Sequence, residues 1–338
     1  MESKIFEDIR IGLEEKQAHL KDWLESTPVD EKEGQLGPVE ETAVKRELQS
    51  LEVALEEIDE GTLGVCEICH GIVDGNLLQM DYTSCVCLDH YSPEQRRQLE
   101  SELELSQTIQ RALLPQQIPM IPGLDIAAFS RPAQIVTGDY FDFVQFKDGA
   151  HGLLMADVSG HGVSAGMLMT SLQAAIQTLA PESDSPLEVL ERINRLYIHN
   201  INFTTFVTVF FGKLDPRSRT LSYANAGHPA LLYRAETDEE FWLPRTGPAI
   251  GLVEHYPSVV QNLELKQGDI LILYTDGITE AMNSGHMQYG EMALAEVVRQ
   301  HRDASAEELV TEILGSLNTY IQGSTLADDI TLMVSKVI

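Results

Sequence analysis

The chain has 338 residues, enough for about two domains, and its 43% apolar content excludes a wholly disordered protein. Against 23 basic residues stand 53 acidic ones, a formal net charge of −30, which argues against grip on nucleic acid or anionic lipid. No apolar run approaches the roughly 18 residues of a membrane span, and Met1-Glu2-Ser3-Lys4-Ile5-Phe6-Glu7 lacks the plan of a signal peptide, so a cytoplasmic protein is expected.

Residues 4–25 read as a helix: Phe6, Leu13 and Leu20 repeat every seven, with Ile9 and Trp23 beside them and Lys16 interrupting the row. Pro28, Gly34, Gly37 and Pro38 break the polar stretch that follows. A second helix carries Val44, Leu51 and Ile58 seven apart, with Leu48 and Leu55 alongside. Two striped helices joined by a short breaker predict an antiparallel helical hairpin over 1–60, although the same stripes would serve two helices packed on a globular body.

All four cysteines lie between Cys66 and Cys87, a clustering that in a reducing compartment favours metal over disulfide. Cys66-x2-Cys69 and Cys87-x2-His90 are knuckles of equal size, each able to supply two ligands to a closed tetrahedral Zn²⁺ site. Cys85 is then spare, and the set Cys66/Cys69/Cys85/Cys87 remains an alternative. The run from Leu51 to His90, with Leu55-x2-Ile58-x2-Gly61-Thr62-Leu63-Gly64-Val65-Cys66-Glu67-Ile68-Cys69, resembles the DksA/TraR zinc-finger family. That resemblance implies a finger over 61–92 beside the hairpin, and a contact with the secondary channel of bacterial RNA polymerase. Here His90 stands where the family usually has Cys, and the acidic turn Asp30, Glu31, Glu33 does not match the family's tip motif.

The segment 93–115 reads as a helical linker ended by Pro115, with Leu99, Leu103, Ile109 and Leu113 on one face and Ser106 interrupting it; such a face suits a homodimer. From 116 onward the texture changes. Strands are predicted at 125–129, 141–146, 152–157, 205–214, 220–225, 230–234, 259–265, 269–274 and 329–334, and helices at 163–179, 186–198, 290–301 and 306–321. Strands so close in sequence must pair antiparallel, which predicts an α+β fold with helices covering the sheets.

Within 116–338 four acidic sites recur at strand ends. Asp139 lies in Gly138-Asp139-Tyr140-Phe141-Asp142, and Asp157 ends an apolar strand ahead of Val158-Ser159-Gly160-His161-Gly162. Asp276 follows Leu271-Ile272-Leu273-Tyr274-Thr275, and Asp328-Asp329 precede the last strand. Gathered together, such carboxylates would repel one another unless cations neutralised them, and an all-oxygen set points to Mg²⁺ or Mn²⁺.

With Leu113-Leu114-Pro115 and Asn225-Ala226-Gly227-His228-Pro229, these motifs resemble the PPM (PP2C-like) protein serine/threonine phosphatases of the SpoIIE/RsbU branch over 108–338. The resemblance implies a PP2C-like antiparallel β-sandwich flanked by helices, and hydrolysis by hydroxide activated between two Mn²⁺ or Mg²⁺ ions. It implies that Asp157 bridges the ions, that the Val158 carbonyl binds one, that Asp276 and Asp328 complete one shell, and that Asp139 serves the other. Asp329, where larger relatives often have Asn, joins the implied ligand set. Thr137 replaces a usual glycine, His161 and Arg131 are candidates for proton transfer and phosphate contact, and Asn225, Gly227 and His228 are expected to shape a turn. The implied substrate is a phosphorylated regulatory protein such as a STAS-domain anti-sigma-factor antagonist. The rival reading is a DksA-like polymerase-binding protein whose phosphatase domain is ancillary.

Overall fold

The computed structural model describes residues 41–73, 86–133, 135–160, 162–200, 206–253, 256–321 and 328–338, together with Arg10, Leu13, Glu14, Gln17 and Lys21. The chain forms two compact units, the second comprising Leu105–Ile198 and Thr205–Ile338. Among the described residues no helix is long and apolar enough to cross a membrane.

In the first unit, helix α1 (Glu41–Glu60) buries Leu51 and Ala54 against Leu13 and Leu63, with Leu48, Leu55 and Ile58 packed around them. Arg10 pairs with Asp59 at 2.5 Å and Lys21 with Glu52 at 3.2 Å, so the described positions of the first predicted helix run antiparallel to α1. These exposed pairs fix direction more than they stabilise. The remainder of the 4–25 helix, the turn after it and Cys85 lie outside the described residues. Gly61, at φ +70°, ends α1 in the left-handed conformation that a side chain would resist, and leads into the first cysteine knuckle.

Helix α2 (Pro93–Leu113) starts in the first unit and ends in the second. Its start is a capping box: Ser92 Oγ accepts the Gln95 N–H at 3.2 Å, and Gln95 Oε1 accepts the Ser92 N–H at 2.9 Å. The second unit therefore takes in the last turns of the predicted linker as well as most of 116–338. On the face expected to pack, Leu103 and Leu113 are half-buried while Ile109 stays exposed, and the side chain of Leu99 is not described.

Among the described residues, ten strands build two antiparallel five-stranded sheets. One has the order β1 (Leu124–Arg131), β10 (Ile330–Val337), β9 (Ile270–Tyr274), β6 (Ala230–Arg234), β7 (Glu239–Trp242). The other runs β2 (Tyr140–Gln145), β3 (His151–Val158), β4 (Val207–Asp215), β5 (Thr220–Ala226), β8 (Gln261–Glu264). Strand alternation divides the apolar residues between two cores. Leu271, Leu273 and Met333 point between the sheets, where they meet Phe141, Leu153, Met155, Phe210 and Tyr223. Ile270, Ile272, Tyr274, Leu332 and Val334 point the other way, against α5 (Glu291–Gln300) and α6 (Ala306–Ile321). Helix α3 (Gly162–Leu179) packs on β2 and β3, and α4 (Pro186–Asn200) follows it. The fold is thus the expected α+β sandwich of PP2C type with flanking helices.

Three elements depart from expectation. β7 is absent from the predicted set, because Glu239-Glu240-Phe241-Trp242 is a short edge strand that exposes Phe241 and half-buries Glu240, so its polarity does not alternate with its burial. β8 is shorter than 259–265, and β10 begins at Ile330, which leaves Asp329 in the loop before it. Leu273 is fully buried between the sheets, so Leu273→Ala should cost about 3 kcal/mol in urea unfolding with an unchanged m-value. Met292→Ala, at a side chain 74% exposed, should stay within about 0.5 kcal/mol of wild type.

Candidate active site

Both sheets deliver acids to the same end of the sandwich. Asp139 immediately precedes β2 and Asp157 lies near the end of β3, and the β2–β3 register, Tyr140 opposite Ala156, sets them side by side. From the other sheet, Asp276 opens a one-turn helix just past β9, and Asp328 and Asp329 lead into β10, its neighbour. The Thr275 hydroxyl donates to Asp139 Oδ2 at 2.8 Å, tying the two groups together across the sandwich.

The electrostatics report this convergence. Burial drives Asp157 up to about 8, with the charges of Asp276, Asp328 and Asp329 adding to it. Asp139 rises well above the usual carboxylate range through burial and the charge of Asp157, against opposing hydrogen bonds from Thr331 and Thr275. Burial also raises Asp276. Carboxylates buried close together, where desolvation and mutual charge both disfavour the ionised form, make a natural seat for hard divalent cations. The Val158 backbone lies against the Asp139 loop: a Cβ on Gly138 would come within 3.0 Å of the Val158 carbonyl oxygen, a close approach that glycine eases. Gly277 is tighter still, since its Cβ would meet the Asp329 carbonyl oxygen at 2.0 Å. The donor set thus fits Mg²⁺ or Mn²⁺.

Comparison with known proteins agrees with this geometry. Residues 147–338, more than half of the chain, match the family described as Stage II sporulation protein E (SpoIIE). The chain belongs to the SpoIIE family. It is 31% identical over 243 residues to the phosphoserine phosphatase RsbU of Bacillus subtilis, covering 71% of each chain. The SiaA-PP2C domain of Pseudomonas aeruginosa is similar in fold, with a TM-score of 0.63 at 22% identity, over 72% of this chain and 98% of that one. The RsbU and RsbW domains of Rv1364c from Mycobacterium tuberculosis align with a TM-score of 0.56 at 27% identity, over 67% of this chain and 63% of that one. This SpoIIE-family chain is a phosphatase.

The other sequence candidates fall into place around the acids. Asp329 turns its carboxylate to the preceding loop: Oδ1 accepts the Ala133 N–H at 2.7 Å, and Oδ2 accepts the Thr137 hydroxyl at 2.6 Å and the Gly138 N–H at 2.9 Å. It clamps the Asp139 loop, whereas Asp328 is exposed. Arg131, at the exposed end of β1, sits opposite Ile330 and therefore at the same end of the sandwich. Asn225 Oδ1 accepts the His228 N–H at 2.8 Å and its amide donates to the His228 carbonyl at 3.0 Å, closing the turn around left-handed Gly227. Burial holds His228 neutral, down to about 3, with Nδ1 2.9 Å from Thr208 Oγ1. Asp142 takes hydrogen bonds from the Tyr140 hydroxyl and from Gln177 on α3. His161 lies outside the described residues.

Sequence reasoning missed the polar groups that hold the acids. Thr275 receives the Thr331 N–H at 3.0 Å, so its hydroxyl proton is directed at Asp139. Thr137 and Gln110 support the Asp139 loop. The available signal was a polar residue beside a motif acid, or on an otherwise apolar helix face, but such residues are common and only contacts distant in sequence single these out.

In the first unit, Cys66, Cys69, Cys87 and His90 bring one ligand atom each within 4.8 Å of one another. Cys69 and Cys87 sulfurs lie 3.9 Å apart, close to the roughly 3.8 Å edge of a tetrahedron built on Zn–S bonds of about 2.3 Å. Burial pushes the Cys66 thiol up, but backbone N–H groups of Cys69, Cys87 and Ile68 outweigh it and bring the thiol down to about 6. Cys87 is pushed up to about 11 by burial and by its neighbours Cys66 and Cys69.

Asp157 supplies a pH test. Its folded pKa lies above the unfolded value, so the unfolded chain releases this proton first as pH rises, and the metal-free fold loses stability from about pH 4 up through about pH 8. Metal-free Asp157→Asn should therefore melt above metal-free wild type at pH 8, with the gap closing toward pH 4. Differential scanning calorimetry in EDTA across that range checks it.

Proposed function

We propose that this phosphatase removes phosphate from serine or threonine of a phosphorylated regulatory protein in the cytoplasm, with two Mn²⁺ or Mg²⁺ ions. The observation that carries the reading is the convergence of Asp139, Asp157, Asp276 and Asp328 from both sheets on one end of the sandwich. Asp139, Asp157, the Val158 carbonyl, Asp276 and Asp328 would hold the ions, with Asp329 behind them. Bound there, the ions would supply an activated water and neutralise charge on the phosphoryl group.

The chain's own contribution is orientation. Thr275 donates to Asp139 Oδ2, while Asp329 holds the loop that presents Asp139. Arg131, exposed at the same end, would meet the phosphate. Likeness to the phosphoserine phosphatase RsbU supports phosphoserine, and a STAS-domain anti-sigma-factor antagonist is the substrate the branch implies. Residues 1–60, 61–92, 93–115 and 116–338 serve in this proposal as hairpin, zinc finger, linker and phosphatase domain. For the first unit, the Cys66/Cys69/Cys87/His90 cluster supports a zinc-stapled docking module, whose partner on the DksA/TraR likeness is RNA polymerase. A homodimer through α2 belongs to the same proposal.

Phosphate release from a phosphoserine peptide should require Mn²⁺ or Mg²⁺ and stop in EDTA. Asp157→Ala and Asp276→Ala should each lose at least about 10²-fold in rate, equivalent to about 2.7 kcal/mol; full activity in either purified variant would refute the metal-dependent mechanism. Elemental analysis of the full-length chain should find one zinc, retained in Cys85→Ser and lost in His90→Ala. If zinc is instead lost in Cys85→Ser and kept in His90→Ala, the ligand set is the all-cysteine one.

A further inference from the structure

The loop carrying Asp139 is held by a side chain from outside every motif. Gln110 is buried on α2, three residues before its end. Its Oε1 accepts the Thr137 N–H at 2.8 Å and its Nε2 donates to the Thr137 carbonyl at 2.7 Å. One amide group thus satisfies both backbone groups of one residue, as a neighbouring strand would. Thr137 passes the constraint on: its Oγ1 accepts the Asp139 N–H at 2.9 Å and donates to Asp329 Oδ2 at 2.6 Å. Packing leaves little freedom around it, since a Cβ on Gly166 of α3 would come within 3.0 Å of Gln110 Nε2 and 3.2 Å of Val136 Cγ2. One turn earlier, Gln107 donates to the Ile135 carbonyl at 3.0 Å, but from an exposed setting.

We propose that Gln110 is a positioning residue for the metal site: it fixes the backbone of Thr137, and through it the direction in which Asp139 presents its carboxylate. The inference rests on the metal-dependent reading above. Only an amide serves the position. The pair needs a donor and an acceptor on one planar head, and an apolar replacement leaves two buried backbone groups without partners. Because both contacts end on the residue two before Asp139, their loss falls on the Asp139 loop more than on the sandwich core. Groups that orient a metal ligand from behind typically govern metal affinity by about 10–100-fold.

The test uses full-length Gln110→Met, which keeps length and helix propensity but has no amide, and Gln110→Ala, which relieves any misfit of the thioether. Mn²⁺ binding is read by isothermal titration calorimetry, and the Mn²⁺ concentration for half-maximal phosphatase activity is read apart from kcat at saturating metal. Melting in EDTA is read alongside. Both variants should bind Mn²⁺ at least about tenfold more weakly and need correspondingly more of it for half activity. Gln107→Ala, which removes an exposed bond, should stay within about twofold of wild type. If Gln110→Met does not fold, Gln110→Ala decides alone. A wild-type Mn²⁺ isotherm in a folded Gln110 variant, even one that melts lower in EDTA, overturns the proposal and leaves the metal-dependent reading intact. A wild-type chain that neither binds Mn²⁺ nor responds to it overturns that reading, and the proposal with it.

Discussion

The structure turns on the repulsion among carboxylates forced together at one end of a β-sandwich. Asp139 and Asp157 come from one sheet, Asp276 and Asp328 from the other, and burial sharpens their mutual repulsion. A fold that tolerates this must be held by something other than the site, and the two apolar cores on either face of the β1–β10–β9–β6–β7 sheet do that work. Stability is thus generated away from the acids, and the cost of assembling them is met where divalent cations restore charge balance.

Aiming the acids is a task for neutral hydrogen-bonding groups. Thr275 links Asp139 to the end of β9, Asp329 ties the 133–138 loop to the start of β10, and Gln110 braces that loop from α2. Hydroxyl and amide groups direct carboxylates without adding charge, which suits a site whose net charge must stay available to cations. Gly138 and Gly277 belong to the same design, because each eases the close approach of a ligand-bearing backbone.

The first unit solves a different problem with soft ligands. Three cysteines and one histidine beyond the end of α1 form a set whose sulfur spacing suits zinc, while the oxygen-only set in the second unit suits harder ions. Donor type distinguishes the two clusters: sulfur and imidazole in the first unit, carboxylates in the second.

Much of this was legible in the sequence, because the signals are local. A continuous apolar run announced β9, seven-residue spacing announced α1, and the paired knuckles Cys66-x2-Cys69 and Cys87-x2-His90 pointed to a metal-binding set before any coordinate. The motif acids were visible because each sits at one end or the other of an apolar strand. What only tertiary structure decided were the relations between distant segments. Asp328 and Asp329 are adjacent and chemically identical, yet one is exposed and the other is turned into a clamp by Ala133, Thr137 and Gly138, almost two hundred residues earlier. Gln110 and Thr275 look like ordinary polar residues until the chain folds back on them. A hydrogen bond that links Thr275 to Asp139 leaves no periodicity in the sequence, because its geometry depends on the packing of two sheets and not on the spacing of residues along either strand.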